Sequence, residues 1–235
     1  MLDRVRSILD INNSFFQFGR KLLYVFLLNV IFVITCIPVF TAGASMVAMN
    51  GVFMKIINER DFSLLKDYFR YFKESFVQAT VVWLASLAVI FVLYVDIFYW
   101  AKYGTEEGVY GWFMLIFSSL AALFFLMMLH TVFPVISRFD MTFKELVKNT
   151  FLITVKDIFY CLEAVVFTVL IVGISVYMII SGKFLFMIYM ALICFGLNGL
   201  VQSYIYRRVL NKYSEEYIEM VKRVREEMKK EGYYN

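Results

Sequence analysis

The sequence predicts an all-α fold, a polytopic membrane helix bundle with six transmembrane helices. Three observations lead there: the apolar content, the gathering of charges into separate blocks, and the imbalance of Lys and Arg between the two sides of those blocks. Of 235 residues, 62% are hydrophobic, 19% aromatic and only 18% charged. Counted with Gly in place of Tyr the apolar share is still about 60%, against roughly 45–50% for soluble domains. Such a chain cannot clothe an ordinary water-facing surface. The composition therefore excludes a soluble enzyme, a disordered protein and a nucleic-acid module, and no nucleic acid is expected among the partners. The lipid bilayer is the first partner.

Apolar blocks at 22–40, 76–101, 110–136, 158–180 and 184–206 each reach or approach the ~20 residues a helix needs to cross hydrocarbon. They hold only Asp96 and Glu163 among the 23 basic and 19 acidic residues. A sixth block, 41–57, carries only Lys55. At ~1.5 Å per residue it is about 25 Å long, marginal for a crossing.

Counting Lys and Arg decides whether that short block crosses, because cytoplasmic loops carry the excess. With five crossings the two sides receive 6 and 17 of the 23. With six, the inner side receives four at the N-terminus, five from Lys55 to Lys73, four from Arg138 to Lys156 and eight in the tail. Only Lys102 and Lys183 are left outside. Six helices with both termini cytoplasmic are expected, in one transmembrane domain over 1–206 followed by a cytoplasmic C-terminal helix over 207–235. Ala42-Gly43-Ala44 resembles a cleavage site, but the leader and its apolar core would be too long for a signal peptide, so a retained anchor is expected.

The second helix is short and entered by a sharp turn at 38–43. Pro38 ends the first helix by removing a donor and crowding the preceding turn. Thr41 or Ser45 is expected to cap the new helix. Gly43, Ala44 and Ala48, with Gly51 beyond, form a small-residue face that lets this helix approach its neighbours closely.

Residues 61–76 place Phe62, Leu65, Phe69, Phe72 and Phe76 at helical intervals, with Lys66, Arg70 and Lys73 off the stripe. A cytoplasmic helix in the membrane interface is expected. Thr142 to Glu145 has capping-box form and starts a second one. In the tail, Leu210, Tyr213, Tyr217, Met220, Val224 and Met228 recur near a heptad period among charges of both signs, which suits packing on protein rather than an anionic surface.

Polar residues within the spans are the candidates for function, since burying them costs free energy unless they find partners. Asn29, Lys55, Asp96, His130, Glu163, Asn198 and Gln202 make up this set. Lys55, His130, Glu163 and Asn198 lie in the cytoplasmic half, and the depths of His130 and Glu163 match within about one turn. An intramembrane polar cluster of these four is expected. Ser45 and His130 resemble only faintly the dyad of rhomboid-type proteases: the six-span order puts them near opposite faces, and Met46 stands where Gly would follow the Ser. Cys36, Cys161 and Cys194 fall inside spans and are expected to be small buried hydrophobes. No catalytic residue, cofactor or metal site is expected, because one His and three scattered Cys do not make an ordinary metal centre.

Leu28-Asn29, Ile37-Pro38-Val39, Thr41-Ala42-Gly43-Ala44-Ser45 and Ala48, followed by Asp67-Tyr68-Phe69, Phe72-Lys73 and Phe76-Val77-Gln78-Ala79-Thr80, resemble the signature of the bacterial YesL family, a domain of unknown function. These motifs cover residues 28–80, and the second half matches in pattern. Members of that family typically accompany carbohydrate importers of the ABC type. The resemblance implies a non-catalytic protein of the bacterial cytoplasmic membrane, an accessory subunit that binds and stabilises the permease pair. The chain has no Gly-Lys-Ser/Thr phosphate loop, so transport energy must come from another chain. The alternative is a small transporter or channel in its own right, which would need a homo-oligomer, because six helices with few buried charges barely line a pathway.

Overall fold

In the computed structural model, which describes residues 14–58, 60–104, 108–182 and 194–214, all regular structure is helical. The first helix, α1 (Ser14–Thr35), ends where the chain nears Pro38. Proline has no N–H to offer the carbonyl of Ile34, and it pushes the preceding Ile37 out of the helical region. The last regular bond runs from the Cys36 N–H to the Phe32 carbonyl at 2.9 Å. The chain resumes as a 3₁₀ turn, Val39–Thr41, which passes directly into α2 (Ala42–Ile57). The break therefore falls at 36–38, earlier than the expected 38–43, and Ala42 and Gly43 are already helical. Proline opens the new helix rather than interrupting it, as its fixed φ favours.

Neither Thr41 nor Ser45 caps α2. The 3₁₀ turn supplies carbonyls to the first N–H groups of α2, so the unsatisfied groups here are the last carbonyls of α1. Thr41 Oγ1 donates to the carbonyls of Thr35 at 2.5 Å and Pro38 at 2.6 Å. Ser45 Oγ donates to Thr35 Oγ1 at 2.9 Å and to the Thr41 carbonyl at 3.1 Å. The two hydroxyls close the end of one helix onto the start of the next.

Around α2 lie α1, α3 (Leu64–Glu74), α4 (Phe76–Tyr103) and α5 (Val109–Arg138). Ala44 and Ala48 are fully buried. A Cβ added at Gly43 would lie 2.4 Å from the Ala79 carbonyl oxygen and 2.8 Å from Trp83 Cβ, so α2 and α4 touch at backbone distance there. Trp83 Nε1 adds a hydrogen bond to the Val39 carbonyl at 2.9 Å. The chain continues as α6 (Phe143–Lys156), α7 (Ile158–Ile180) and a helix over 194–214, α8.

Among the described residues, four segments are long and apolar enough to cross a membrane: Val39–Ile57, Phe76–Tyr103, Val109–Arg138 and Ile158–Met178. In the first, 72% of the apolar stretch is buried in the bundle, against 11%, 11% and 17% in the others. α2 is thus the hub, and α4, α5 and α7 turn apolar outer faces such as Phe91, Phe117 and Leu170 away from it. The proposed sixth span, 184–206, is described only from 194, and from there the helix runs to 214 with no break at 206/207. Val209 and Leu210 remain buried in the bundle. The tail positions Tyr217, Met220, Val224 and Met228 lie outside the described residues.

Candidate functional site: a polar-edged cavity behind the central helix

Inside the bundle, polar side chains knit helices together across long stretches of sequence. Asn29 on α1 accepts the backbone N–H of Gly196 on α8 at 2.7 Å. On α2, Asn50 donates to the Met46 carbonyl at 2.9 Å and accepts from Ser203 of α8 at 3.0 Å. Thr131 on α5 meets Tyr206 at 3.0 Å and Cys161 at 3.3 Å. Each pairing satisfies a group that would otherwise be costly to bury.

Between these contacts the helices leave a cavity of about 220 Å³. α2 contributes Met46, Met49 and Asn50, and α5 contributes Leu129, His130 and Phe133. Trp83 of α4, Phe32 of α1, Ile171 of α7 and Cys194 and Phe195 of α8 add to the apolar wall. The polar edge is formed by Thr168 of α7 with Asn198 and Gln202 of α8. Thr168 Oγ1 shares its one proton between Asn198 Oδ1 and the Ala164 carbonyl, each at 3.0 Å, and accepts from Gln202 Nε2 at 3.1 Å. His130 Nδ1 lies 2.9 Å from the Leu126 carbonyl. That contact requires the proton on Nδ1 and leaves Nε2 of the neutral ring as an acceptor. Four residues on, Pro134 has no N–H to give the His130 carbonyl, so the helix ladder is interrupted at the cavity wall. Among the described residues that line it, none is Asp, Glu, Lys or Arg.

At the other end of α2, the amphipathic helix α3 is clamped on. Lys55 Nζ reaches Asp67 Oδ1 at 2.8 Å, Arg70 pairs with the same oxygen at 3.0 Å, and the Ser63 N–H donates to Asp67 Oδ2 at 2.9 Å. Burial pushes the Asp67 carboxyl up, but the Lys55 and Ser63 hydrogen bonds and the charges of Lys55 and Arg70 outweigh it and hold the pKa below the ordinary value. Beside it Tyr68, fully buried, shares a 2.7 Å hydrogen bond with Thr35 Oγ1. Burial pushes this phenol up to about 12, against the opposing hydrogen bonds of Thr35 and Ser45. Arg207 of α8 donates to the Ile57 carbonyl at 3.2 Å, placing a cation at the C-terminal end of α2 where the helix dipole favours it.

The four residues expected to cluster are divided. His130 and Asn198 line the same cavity. Lys55 is engaged by Asp67 on α3, and Glu163 lies exposed on α7. Equal depth along the bundle says nothing about the direction in which each helix turns its side chain, and Glu163 is turned outward. The aromatic stripe is likewise divided: Phe62 precedes α3, Phe76 begins α4, Phe72 is half-buried, and Leu65 and Phe69 are exposed. The face of α3 that meets the bundle is led by Asp67 and Tyr68. Asn50, Thr168, Trp83 and Pro134 were absent from the sequence-derived set. Asn50 stands in the second apolar block as conspicuously as Lys55, and the spacing His130-x₃-Pro134 marks the interrupted carbonyl.

Residues 22–97 match the family described as Protein of unknown function, DUF624. The match takes in most of α1, the Pro38 turn, α2, α3 and most of α4, the part of the chain that builds the hub and its clamp. YesL-type families carry this domain. No curated protein and no solved structure matches the chain.

Proposed function

We propose that the protein is a non-catalytic accessory subunit of the bacterial cytoplasmic membrane, binding and stabilising the permease pair of a carbohydrate ABC importer. In this reading the six crossings expected from the charge count reduce to four, α4, α5, α7 and the 184–206 segment, with both termini cytoplasmic and α3 and α6 on the inner side. α1 and the Val39–Ile57 segment form a hairpin against the inner half of α4, since Gly43 abuts Ala79 and Trp83 bonds the Val39 carbonyl within the first turns of that helix. α3 lies at the interface, where exposed Leu65 and Phe69 meet acyl chains and Lys66 and Lys73 reach the headgroups.

The observation that carries the reading is Glu163. It lies exposed on α7, in register with the exposed apolar residues Phe159, Val166 and Leu170. A carboxylate on an otherwise apolar outer stripe is costly against hydrocarbon and is satisfied when a partner helix presents a donor there. The acidic side chain of Asp67, by contrast, is paired within the chain. The outer stripe of α7 is then the partner face, and the sequence holds no phosphate loop with which to drive transport alone.

Co-expression with a tagged oligosaccharide permease pair tests this. The expected result is stoichiometric co-purification in mild detergent, reduced about tenfold in Glu163→Ala, the equivalent of ~1.4 kcal/mol. Sugar flux through liposomes containing this chain alone would refute the subunit reading.

A further inference from the structure

We infer that the cavity between α2, α5, α7 and α8 binds one uncharged, flat, membrane-soluble molecule of the indole or phenol class. Four features of the site define that class.

The first is size. A dry cavity of ~150 Å³ holds benzene, so about 220 Å³ holds an occupant of roughly nine non-hydrogen atoms by the same proportion. The second is charge. None of the described lining residues is Asp, Glu, Lys or Arg, so an ion placed among them would find no counter-charge.

The third is the shape of the apolar wall. Aromatic pairs stand on two sides, Trp83 with Phe133 at 6.4 Å between ring centres and Phe32 with Phe195 at 5.7 Å. The thioethers of Met46 and Met49 lie on the α2 side. Aromatic faces and polarisable sulfur favour a planar ring over an aliphatic chain of equal volume. Trp83 spends its N–H on the Val39 carbonyl, so the indole serves the cavity as an apolar surface.

The fourth is the residual hydrogen-bonding capacity. Asn198 uses its oxygen on Thr168, which leaves the amide N–H groups as donors, while Gln202 uses its nitrogen on the same hydroxyl, which leaves its oxygen as an acceptor. His130 retains Nε2 as a second acceptor. An O–H or N–H on the ligand therefore finds an acceptor, and a phenol oxygen finds a donor. A few converging polar groups on a mostly apolar wall are the general pattern of small-molecule sites.

The inference is independent of the permease partnership and is tested on the isolated full-length chain in lipid nanodiscs. 5-Fluoroindole, followed by fluorine NMR, should show one saturable site per chain, displaced by indole. Indole-3-carboxylate, of similar shape but anionic, should fail to displace it at 100-fold higher concentration. Asn198→Ala should weaken binding about tenfold. Cys194→Phe and Ile171→Trp, each filling the space, should abolish it while helical content is retained. A fluorine signal that rises only with lipid content, a folded filled variant that binds like the parent, or equal competition by the carboxylate would each overturn the inference. The carboxylate comparison uses the unmodified chain, so it decides even if both filled variants fail to fold.

Discussion

Asn29 on α1 accepts the backbone N–H of Gly196 on α8 at 2.7 Å, and residue 196 must be glycine for the two to meet. A Cβ there would lie 2.7 Å from the Val25 carbonyl oxygen and 2.9 Å from Asn29 Cβ. This hydrogen bond between the first and last described helices is made possible by a missing side chain. Gly196→Ala is therefore expected to destabilise the chain more than Asn29→Ala does. For Asn29→Ala the loss is about 1–3 kcal/mol, the cost of leaving a buried donor unsatisfied. Thermal unfolding in a fixed detergent checks the order. An unchanged midpoint for Gly196→Ala would show that the helices do not approach so closely.

A second close approach lies between α2 and α4. A side chain at position 43 would run into the Ala79 carbonyl, a backbone atom that cannot swing aside. Gly43→Leu should prevent accumulation of folded protein, whereas Ala48→Gly, which only removes a methyl group, should cost on the order of 1 kcal/mol. Fluorescence-detected size exclusion of both variants distinguishes the outcomes.

The Lys55 and Asp67 pair sets a pH dependence. The folded-state pKa of Asp67 lies below its ordinary value of 3.8. Its contribution is thus fully present above about pH 3.8 and is lost as pH falls through the lower folded value. The stability difference between the parent chain and Asp67→Asn should be constant near neutrality and shrink only in that acid window. Lys55→Met should weaken α3 docking by about 1–3 kcal/mol at neutral pH. A difference that already fades at pH 6 would contradict the pairing.

Tyr68 sets the opposite limb. Its pKa is raised from 10.0 to about 12, so the stability it contributes is fully present below pH 10 and is lost as pH rises toward 12. Ultraviolet titration of the folded chain should therefore show the buried phenols, Tyr68 and Tyr206, ionising later than the exposed ones, and Tyr68→Phe should lower the late amplitude by one phenol. The same substitution should cost about 1 kcal/mol through the lost hydrogen bond to Thr35.

What the sequence made legible was longitudinal. The long apolar blocks at 76–101, 110–136 and 158–180 correspond within two residues at each end to α4, α5 and α7, because charge segregation and helix length are one-dimensional properties. The short helix after Pro38 and its small-residue face were legible for the same reason, since Ala44 and Ala48 have only backbone-scale bulk to contribute. What stayed hidden was azimuthal. A span that is apolar all round carries no moment to say which side faces inward, so the outward turn of Glu163 and the meeting of His130 with Asn198 at one cavity could not be read from depth alone. On α3 the error had another source. The Phe periodicity runs on across Ser75, whose hydroxyl donates to the Tyr71 carbonyl at 2.6 Å where α3 ends and α4 starts. The bundle-facing side of α3 is instead led by an acid and a phenol, Asp67 and Tyr68.

The most direct test of the proposed membrane arrangement is thiol accessibility on either side of α4 in intact cells, with Cys36, Cys161 and Cys194 replaced. If α3 lies on the inner side and α4 crosses, Leu65→Cys should react with a membrane-impermeant maleimide only after the cells are opened, and Val109→Cys should react without opening. The reverse pattern, with position 65 labelled from outside and position 109 protected, would place α3 on the outer side and contradict the arrangement.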